Sequence, residues 1–461
     1  MKRAIGMLAV CLLLLGVLTP ARADLETAHH SNADYDGPGW DHLISVVAGD
    51  GFTVGLRSDG RVAYAGDNNS DEIRKIGSWK DIARIELKSP YSRYITGYRT
   101  DGTLALADLH GVDPIYGDIA VRWKEEDFAG WNNVADLIIE RFFCIGLRTD
   151  GTVLMISDTE KAPDAIAEAI IRAEKTVSEW ENIVQLVSLG MDQYRFSSDY
   201  YDYMPILVVG LKADGTVVCT DNEVLEKQNE DNPDKGEMRP WPDPREWNHV
   251  RELLVRRYGV GLAPLVFGLR EDGSVLGLSE AIQNVDSLYM EMNECFVLKK
   301  DGSIEYIRSM GEDWEQSAGW TDIVEIAYGY NGQFIQCGRL IARRSDGTVY
   351  HFVSPYEDDP YRILDEWTDI VRVFNSTYNL YGLKSDGTVL SGYRDPYDEM
   401  NVMEDYDAEI ETWQDIVTIV ASYGGYPFSE TREREHIVGL KSDGTAVAAG
   451  DNTRGQCDLG G

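Results

Sequence analysis

The sequence predicts an all-β chain built from about nine copies of one small antiparallel sheet, and three observations predict it. The string Gly-Leu-Lys/Arg-x-Asp-Gly-Thr-Val recurs nine times, with Asp-Gly pairs beginning at 59, 101, 150, 214, 272, 301, 346, 386 and 443. A second motif, Trp-x-Asp/Asn/His followed by an aliphatic residue, precedes most copies, at Trp40, Trp79, Trp131, Trp180, Trp247, Trp320, Trp367 and Trp413. The two ends of the mature chain complement each other, because the last unit stops where the next Trp motif is due and the chain begins with that motif at Gly39-Trp40. Units of roughly 40 to 60 residues, each a small antiparallel sheet, suit a β-propeller better than a solenoid. The expectation is a propeller of seven to nine blades, closed by its N- and C-terminal segments.

Each unit reads as three or four short strands. The stretch after Trp is β-branched and aliphatic, as in Ile416-Val417-Thr418-Ile419-Val420. Next comes a run apolar on both faces, such as Phe52-Thr53-Val54-Gly55-Leu56. Its recurring Gly predicts close approach of a neighbouring backbone. Asp-Gly then predicts a tight primed hairpin turn, whose centre needs positive φ. The sixth unit lacks the Trp, and Ile282-Gln283-Asn284-Val285 stands in for it.

Along the chain, Lys2 and Arg3, the apolar run Ile5 to Leu18 and Ala21-Arg22-Ala23 read as a signal peptide over 1–23. Residues 24–461 form one repeat domain. Three insertions break the rhythm. Residues 162–179 read as a short helix with Ile166, Ala169, Ile170 and Ala173 on one face, a lid on a blade. Residues 222–246 and 391–411 are acidic loops. No second apolar run is long enough to cross a bilayer, so the expected location is secreted or cell-surface.

Composition narrows the partners. The formal charge is −36, and loss of Lys2, Arg3 and Arg22 takes it to −39, which disfavours nucleic acid and anionic membranes. The five mature cysteines form no disulfide framework. Cys144 and Cys295 fall on a slot that other units fill with apolar residues, which reads as burial. The residue two before each turn Asp is always basic: Arg57, Arg99, Arg148, Lys212, Arg270, Lys299, Arg344, Lys384 and Lys441. The favoured reading is structural, with stems on apolar strand surface and heads on carboxylates. An anion site is the alternative.

The combined pattern resembles the regulator of chromosome condensation repeat family in its secreted bacterial form. It rests on the Trp320 to Val324 strand, the Gly-Leu-Lys-Ser-Asp-Gly-Thr-Val hairpin and the Gly450 to Asp458 tail, and it spans residues 39–459. That family is typically seven-bladed, whereas nine hairpins stand here. Because secreted relatives include a β-lactamase-inhibiting propeller, the resemblance implies a binding protein. Its nuclear members also imply guanine-nucleotide exchange, which the signal peptide argues against.

No nucleophilic triad, metal-ligand spacing or phosphate loop stands out, so no enzyme activity, cofactor or metal is expected. The candidate partner-binding residues lie between the first two strands of several units: Tyr194, Tyr200, Tyr201, Tyr203, Tyr328, Tyr330, Tyr423, Tyr426 and Phe428. Equivalent loops emerge at one face, and Tyr with Gly, Asn and Ser gives rigid contact area at low entropic cost. The expected function is an exported scaffold, monomeric, holding a protein or cell-envelope partner. Carbohydrate binding or glycan-directed chemistry is the alternative.

Overall fold

A computed structural model describes residues 39–66, 75–88, 94–109, 123–160, 162, 164–188, 208–220, 243–256, 265–277, 282–291, 294–307, 319–329, 339–351, 362–376, 379–392, 408–422 and 435–459. The signal segment 1–23 and most of the two acidic loops lie outside these. Among the described residues are nine sheets of three strands, each antiparallel and in order first-second-third. In chain order they span residues 43–66, 82–108, 134–157, 183–219, 250–276, 285–307, 323–351, 370–391 and 416–450, here sheets 1 to 9. They fall into two compact units, one holding sheets 1, 2, 7, 8 and 9 and the other sheets 3 to 6.

The Trp-x-Asp motif builds the entry to each sheet. Its third residue (His42, Asp81, Asn133, Asn182, His249, Asn284, Asp322, Asp369 or Asp415) is left-handed, with φ between 53° and 66°. Asn, Asp and His tolerate this region far better than β-branched residues, which explains the restriction at that place. Its carbonyl accepts from the residue before the turn Asp, as in Ser58 N to His42 O at 2.8 Å. In all nine sheets the register slips after the first strand residue, so one extra residue bulges out.

The hairpin differs from the primed turn expected. Gly60 N bonds Arg57 O, Arg57 N bonds Arg61 O, and only Gly60 has positive φ, at +78°. This is a three-residue loop, a type I turn closed by a left-handed Gly. The Asp acts as an acceptor instead: Asp150 Oδ1 takes Thr152 N at 2.9 Å and Thr152 Oγ1 at 2.6 Å. That pair of hydrogen bonds explains why Thr or Ser follows Asp-Gly in eight of the nine units; in the first, Arg61 keeps only the backbone bond to Asp59 Oδ1.

The recurring Gly also has a different neighbour from the one expected. A Cβ on Gly55, Gly97, Gly146, Gly210, Gly268, Gly382 or Gly439 would lie 2.5 to 3.1 Å from the ring of the Trp opening the same unit. The partner is an indole and not a backbone. All eight motif tryptophans are 3–8% exposed. Burying a ring of that size stabilises by roughly 4–6 kcal/mol before entropy. A strand Gly costs roughly 0.5–1 kcal/mol, so the exchange favours Trp with Gly. Sheet 6 fits the coupling from the other side, since Ile282 replaces Trp and Val297 replaces Gly, while sheet 7 keeps Trp320 with the smallest side chain, Ala342, in the Gly slot.

Helix α1 (Asp164–Val177) buries Ile166, Ile170, Ala173 and Val177, and Ser157 Oγ donates to Glu174 Oε2 at 2.7 Å. Cys144, Cys219 and Cys295 are buried.

Candidate functional site

Each sheet has two ends, and the repeats treat them differently. At the hairpin end, the turn glycine of one sheet is bonded to the first strand of the next. Examples are Ile82 N to Gly60 O at 2.9 Å, Ile183 N to Gly151 O at 2.9 Å and Ile416 N to Gly387 O at 2.9 Å. The same bond joins the last sheet to the first, Leu43 N to Gly444 O at 2.7 Å.

The shared basic position is spent on structure. All nine residues are buried or half-buried. Arg57 meets Asp41 at 2.8 Å and Asp59 at 3.4 Å, Arg99 meets Glu125 at 2.7 Å, and Lys299 meets Glu305 at 2.6 Å. Arg344 meets Asp346 at 3.2 Å and lies over the Tyr350 ring, while Arg270 Nε donates to Asn248 O. The turn carboxyls of Asp101, Asp150, Asp214, Asp272, Asp301, Asp346, Asp386 and Asp443 are held below their usual range, chiefly by the following Thr or Ser hydroxyl.

At the opposite end the strands lead into the segments that carry the candidate tyrosines. Tyr194, Tyr200, Tyr201, Tyr203, Tyr330, Tyr423, Tyr426 and Phe428 fall outside the described residues. Of Tyr328 the backbone is described, in the first strand of sheet 7 with its Cα opposite Leu340. What the structure describes are the points of attachment. The segment with Tyr194 to Tyr203 leaves at Ser188 and returns at Val208, which are Cα partners. The segment with Tyr423 to Phe428 leaves at Ser422 and returns at Glu435. Buried hydroxyls fasten both bases: Thr220 Oγ1 accepts from Val208 N at 3.0 Å, and Ser422 Oγ accepts from His436 N at 2.8 Å. Ser376 Oγ donates to Glu435 Oε1 at 2.8 Å, tying sheet 8 to the second of these bases.

A seam missed by the sequence reading adjoins that base. Thr53 Oγ1 donates to Gln456 O at 2.8 Å and takes the Nε2 proton of His436 at 2.8 Å. Around it, Trp40, Leu43, Val46 and Ala63 pack with Val438, Leu440 and Leu459. Burial pushes His436 down to about 4 and Cys457 up to about 12. His436 occupies the slot of Phe52 and Phe143, so a polar residue in an aromatic position was the available signal. In sheet 5, burial pushes Glu252 up to about 7, with Arg251 opposing and Asp286 reinforcing.

Among the described residues, no helix is long and apolar enough to cross a membrane. The described residues form a repeat-built, mostly β scaffold with the hairpin turns at one end of the sheets. No protein-family model matches it, and no curated protein matches it. Solved structures resemble it at low identity. A computationally designed protein, Ika8, has a TM-score of 0.34 at 12% identity, over 77% of this chain and 98% of its own. Prp20p from Saccharomyces cerevisiae, described with its binding to Gsp1p and histones, has a TM-score of 0.29 at 11% identity, over 82% and 80%. Yeast RCC1 (Prp20) bound to Kap60 has a TM-score of 0.28 at 14% identity, over 79% and 83%.

Proposed function

We propose that the protein is an exported, non-enzymatic β-propeller, joined by its N- and C-terminal segments. In this reading it holds a protein or cell-envelope partner through the segments between first and second strands. One observation carries the reading. The residues that recur in the units (the Trp, its Gly, the left-handed Asp or Asn, the turn Asp and the basic residue) have structural partners inside the fold. Chemistry left over for a partner is concentrated in segments that differ from unit to unit, and these attach at one end of the sheets. Their Tyr content supplies anchors of the kind that dominate interfaces.

The test uses the full mature chain with Tyr200, Tyr201 and Tyr203 replaced by Ala, in pull-downs from an envelope fraction and on a glycan array. Loss of about 2 kcal/mol or more per anchor is expected for the protein partner, with the melting curve unchanged. Equal loss of folding and binding would assign the tyrosines to covering sheet ends, and binding on the glycan array alone would move the partner to carbohydrate.

A further inference from the structure

We propose that the hairpin end of sheets 7, 8, 9, 1 and 2 is a second binding surface, for a cationic polypeptide segment carrying apolar side chains. Ile44, Val324 and Val371 are 41%, 45% and 40% exposed, and they are three of the four large hydrophobic residues exposed among the described residues. All three occupy one repeat position, the residue pushed out by the bulge at the start of the first strand. Half-buried Val417 and exposed Ala83 hold the same position in sheets 9 and 2.

These five residues are neighbours in sequence of sheets. Ile370 N bonds Gly347 O, Ile416 N bonds Gly387 O, Leu43 N bonds Gly444 O and Ile82 N bonds Gly60 O, so each first strand is latched to the preceding turn. The bulge is present in all nine sheets, so its geometry does not demand an apolar side chain. Arg251 and Asp286 fill it in sheets 5 and 6. Ala135 and half-buried Val184 hold it in sheets 3 and 4, so what sets this end apart is exposure: Ile44, Val324 and Val371 are large apolar side chains left open to water, which marks a surface that favours contact over solvation.

The rim names the occupant. Sheet 7 presents Asp322 and Asp346, sheet 8 Asp369 and Asp386, and sheet 9 Asp415 and Asp443, against one basic residue each at the shared position, whereas in sheets 1 and 2 Asp41, Asp59, Asp81 and Asp101 stand with Arg57, Arg61, Lys80 and Arg99, so the surplus lies on sheets 7 to 9. Those cations are committed where their partners are seen: Arg344 to Asp322 at 3.6 Å and Asp346 at 3.2 Å, Lys384 to Asp386 at 3.9 Å. An apolar strip edged by surplus carboxylate attracts cationic chains and repels a second copy of a protein with net charge −36. The chain's own residues 24–38 include Asp24, Glu26, Asp34 and Asp36 and no Lys or Arg, so the same charge rule excludes them.

The probe is a labelled 18-residue peptide of Lys and Leu at amphipathic helical spacing (about 3.6 residues per turn), followed by anisotropy with the full mature chain. A Lys/Ser peptide of equal charge and a Glu/Leu peptide are the controls. The expected result is binding of Lys/Leu alone, weakened about tenfold or more in the Ile44→Ser, Val324→Ser, Val371→Ser triple variant. In Asp369→Asn, Asp415→Asn the salt dependence becomes shallower. If the triple variant does not fold by circular dichroism, Val324→Thr with Val371→Thr keeps the β-branched shape. Undiminished affinity in the folded variant, or equal binding of the Lys/Ser peptide, overturns the proposal. So does self-association in sedimentation velocity that the triple variant abolishes. The tyrosine variants leave this peptide's affinity unchanged, so either surface can fail without the other.

Discussion

The pairing of Gly382 with Trp367 in sheet 8 allows the repeat to be rewritten in a defined way. A Cβ on Gly382 would stand 2.6 Å from Trp367 Cζ3, 2.8 Å from Cε3 and 3.0 Å from Ile370 Cδ1. Trp367 is 3% exposed and is surrounded by Ile341, Leu364, Ile370 and Leu380, so the ring has little room to retreat. Gly382→Val therefore overpacks a closed site, at a cost of roughly 1–3 kcal/mol. Trp367→Ile leaves a void, and since isoleucine's four side-chain carbons fill part of it the cost falls near the lower edge of the roughly 3–5 kcal/mol known for truncation of large aromatics. Neither residue alone explains sheet 6, where Val297 is fully buried and Ile282 is 8% exposed at the equivalent places. There the two changes coexist, because the branched side chain fills the space that the ring vacates. The double variant Gly382→Val, Trp367→Ile should accordingly be more stable than the sum of the single changes by about 1–2 kcal/mol. Urea unfolding of the four proteins, followed by circular dichroism, measures that coupling. Additivity within about 0.5 kcal/mol would refute the claim that indole and glycine are one structural unit.

Two predictions concern the seam and one the interior of sheet 5. His436 is held neutral down to about 4 from an ordinary 6.5, so the unfolded chain takes up a proton that the folded chain refuses. Stability is therefore full above the unfolded value and falls as pH drops from 6.5 to 4, by up to about 3 kcal/mol; His436→Gln should flatten thermal melting over that window. Glu252 has the opposite sign, because a folded value of about 7 against 4.5 makes the fold hold a proton that the unfolded chain releases. Its contribution is full below 4.5 and is lost as pH rises through 7, so Glu252→Gln should raise the melting temperature at pH 8 and have little effect at pH 4. Deleting residues 455–461 removes Leu459 from the first-sheet core and the Gln456 carbonyl from Thr53. The melting temperature should fall, because a buried apolar side chain and a buried hydrogen bond between the first and last sheets are lost, and an unchanged melting curve would sink the reading.

Most of the fold was legible because the chain carries nine versions of itself. Spacing of Trp, Gly and Asp-Gly located every sheet, and the apolar second run correctly read as a strand buried on both faces. The turn type was misread because Asp-Gly also closes a type I loop, and only the Thr at the next position, held by Asp Oδ1, separates the two. The role of the strand Gly was misread because periodicity shows that space is needed and not what fills it. Substitution in sheet 6 held the answer, since Trp and Gly are lost there together. The His436 seam was hidden for a different reason: its partners Thr53 and Gln456 lie 383 and 403 residues from their contacts, and no local pattern spans that distance.

A repeated scaffold separates structure from function by arithmetic that a single-copy fold lacks. A side chain required by the sheet appears at its position in nearly every unit, and its departures are compensated nearby, as Val297 is by Ile282. A side chain used for contact with something else has no reason to recur around the chain. The bulge position lies between the two rules: its backbone is the same in nine sheets, its side chain is apolar in seven (Ile44, Ala83, Ala135, Val184, Val324, Val371 and Val417) and charged in two (Arg251 and Asp286), and among the described residues a large apolar side chain stands exposed there only in sheets 1, 7 and 8. The basic position obeys the first rule, with a cation in each unit and carboxylates at hand. By that criterion the cations belong to the fold. Exposed Ile44, Val324 and Val371 and the segments between first and second strands are the surfaces we propose for partners.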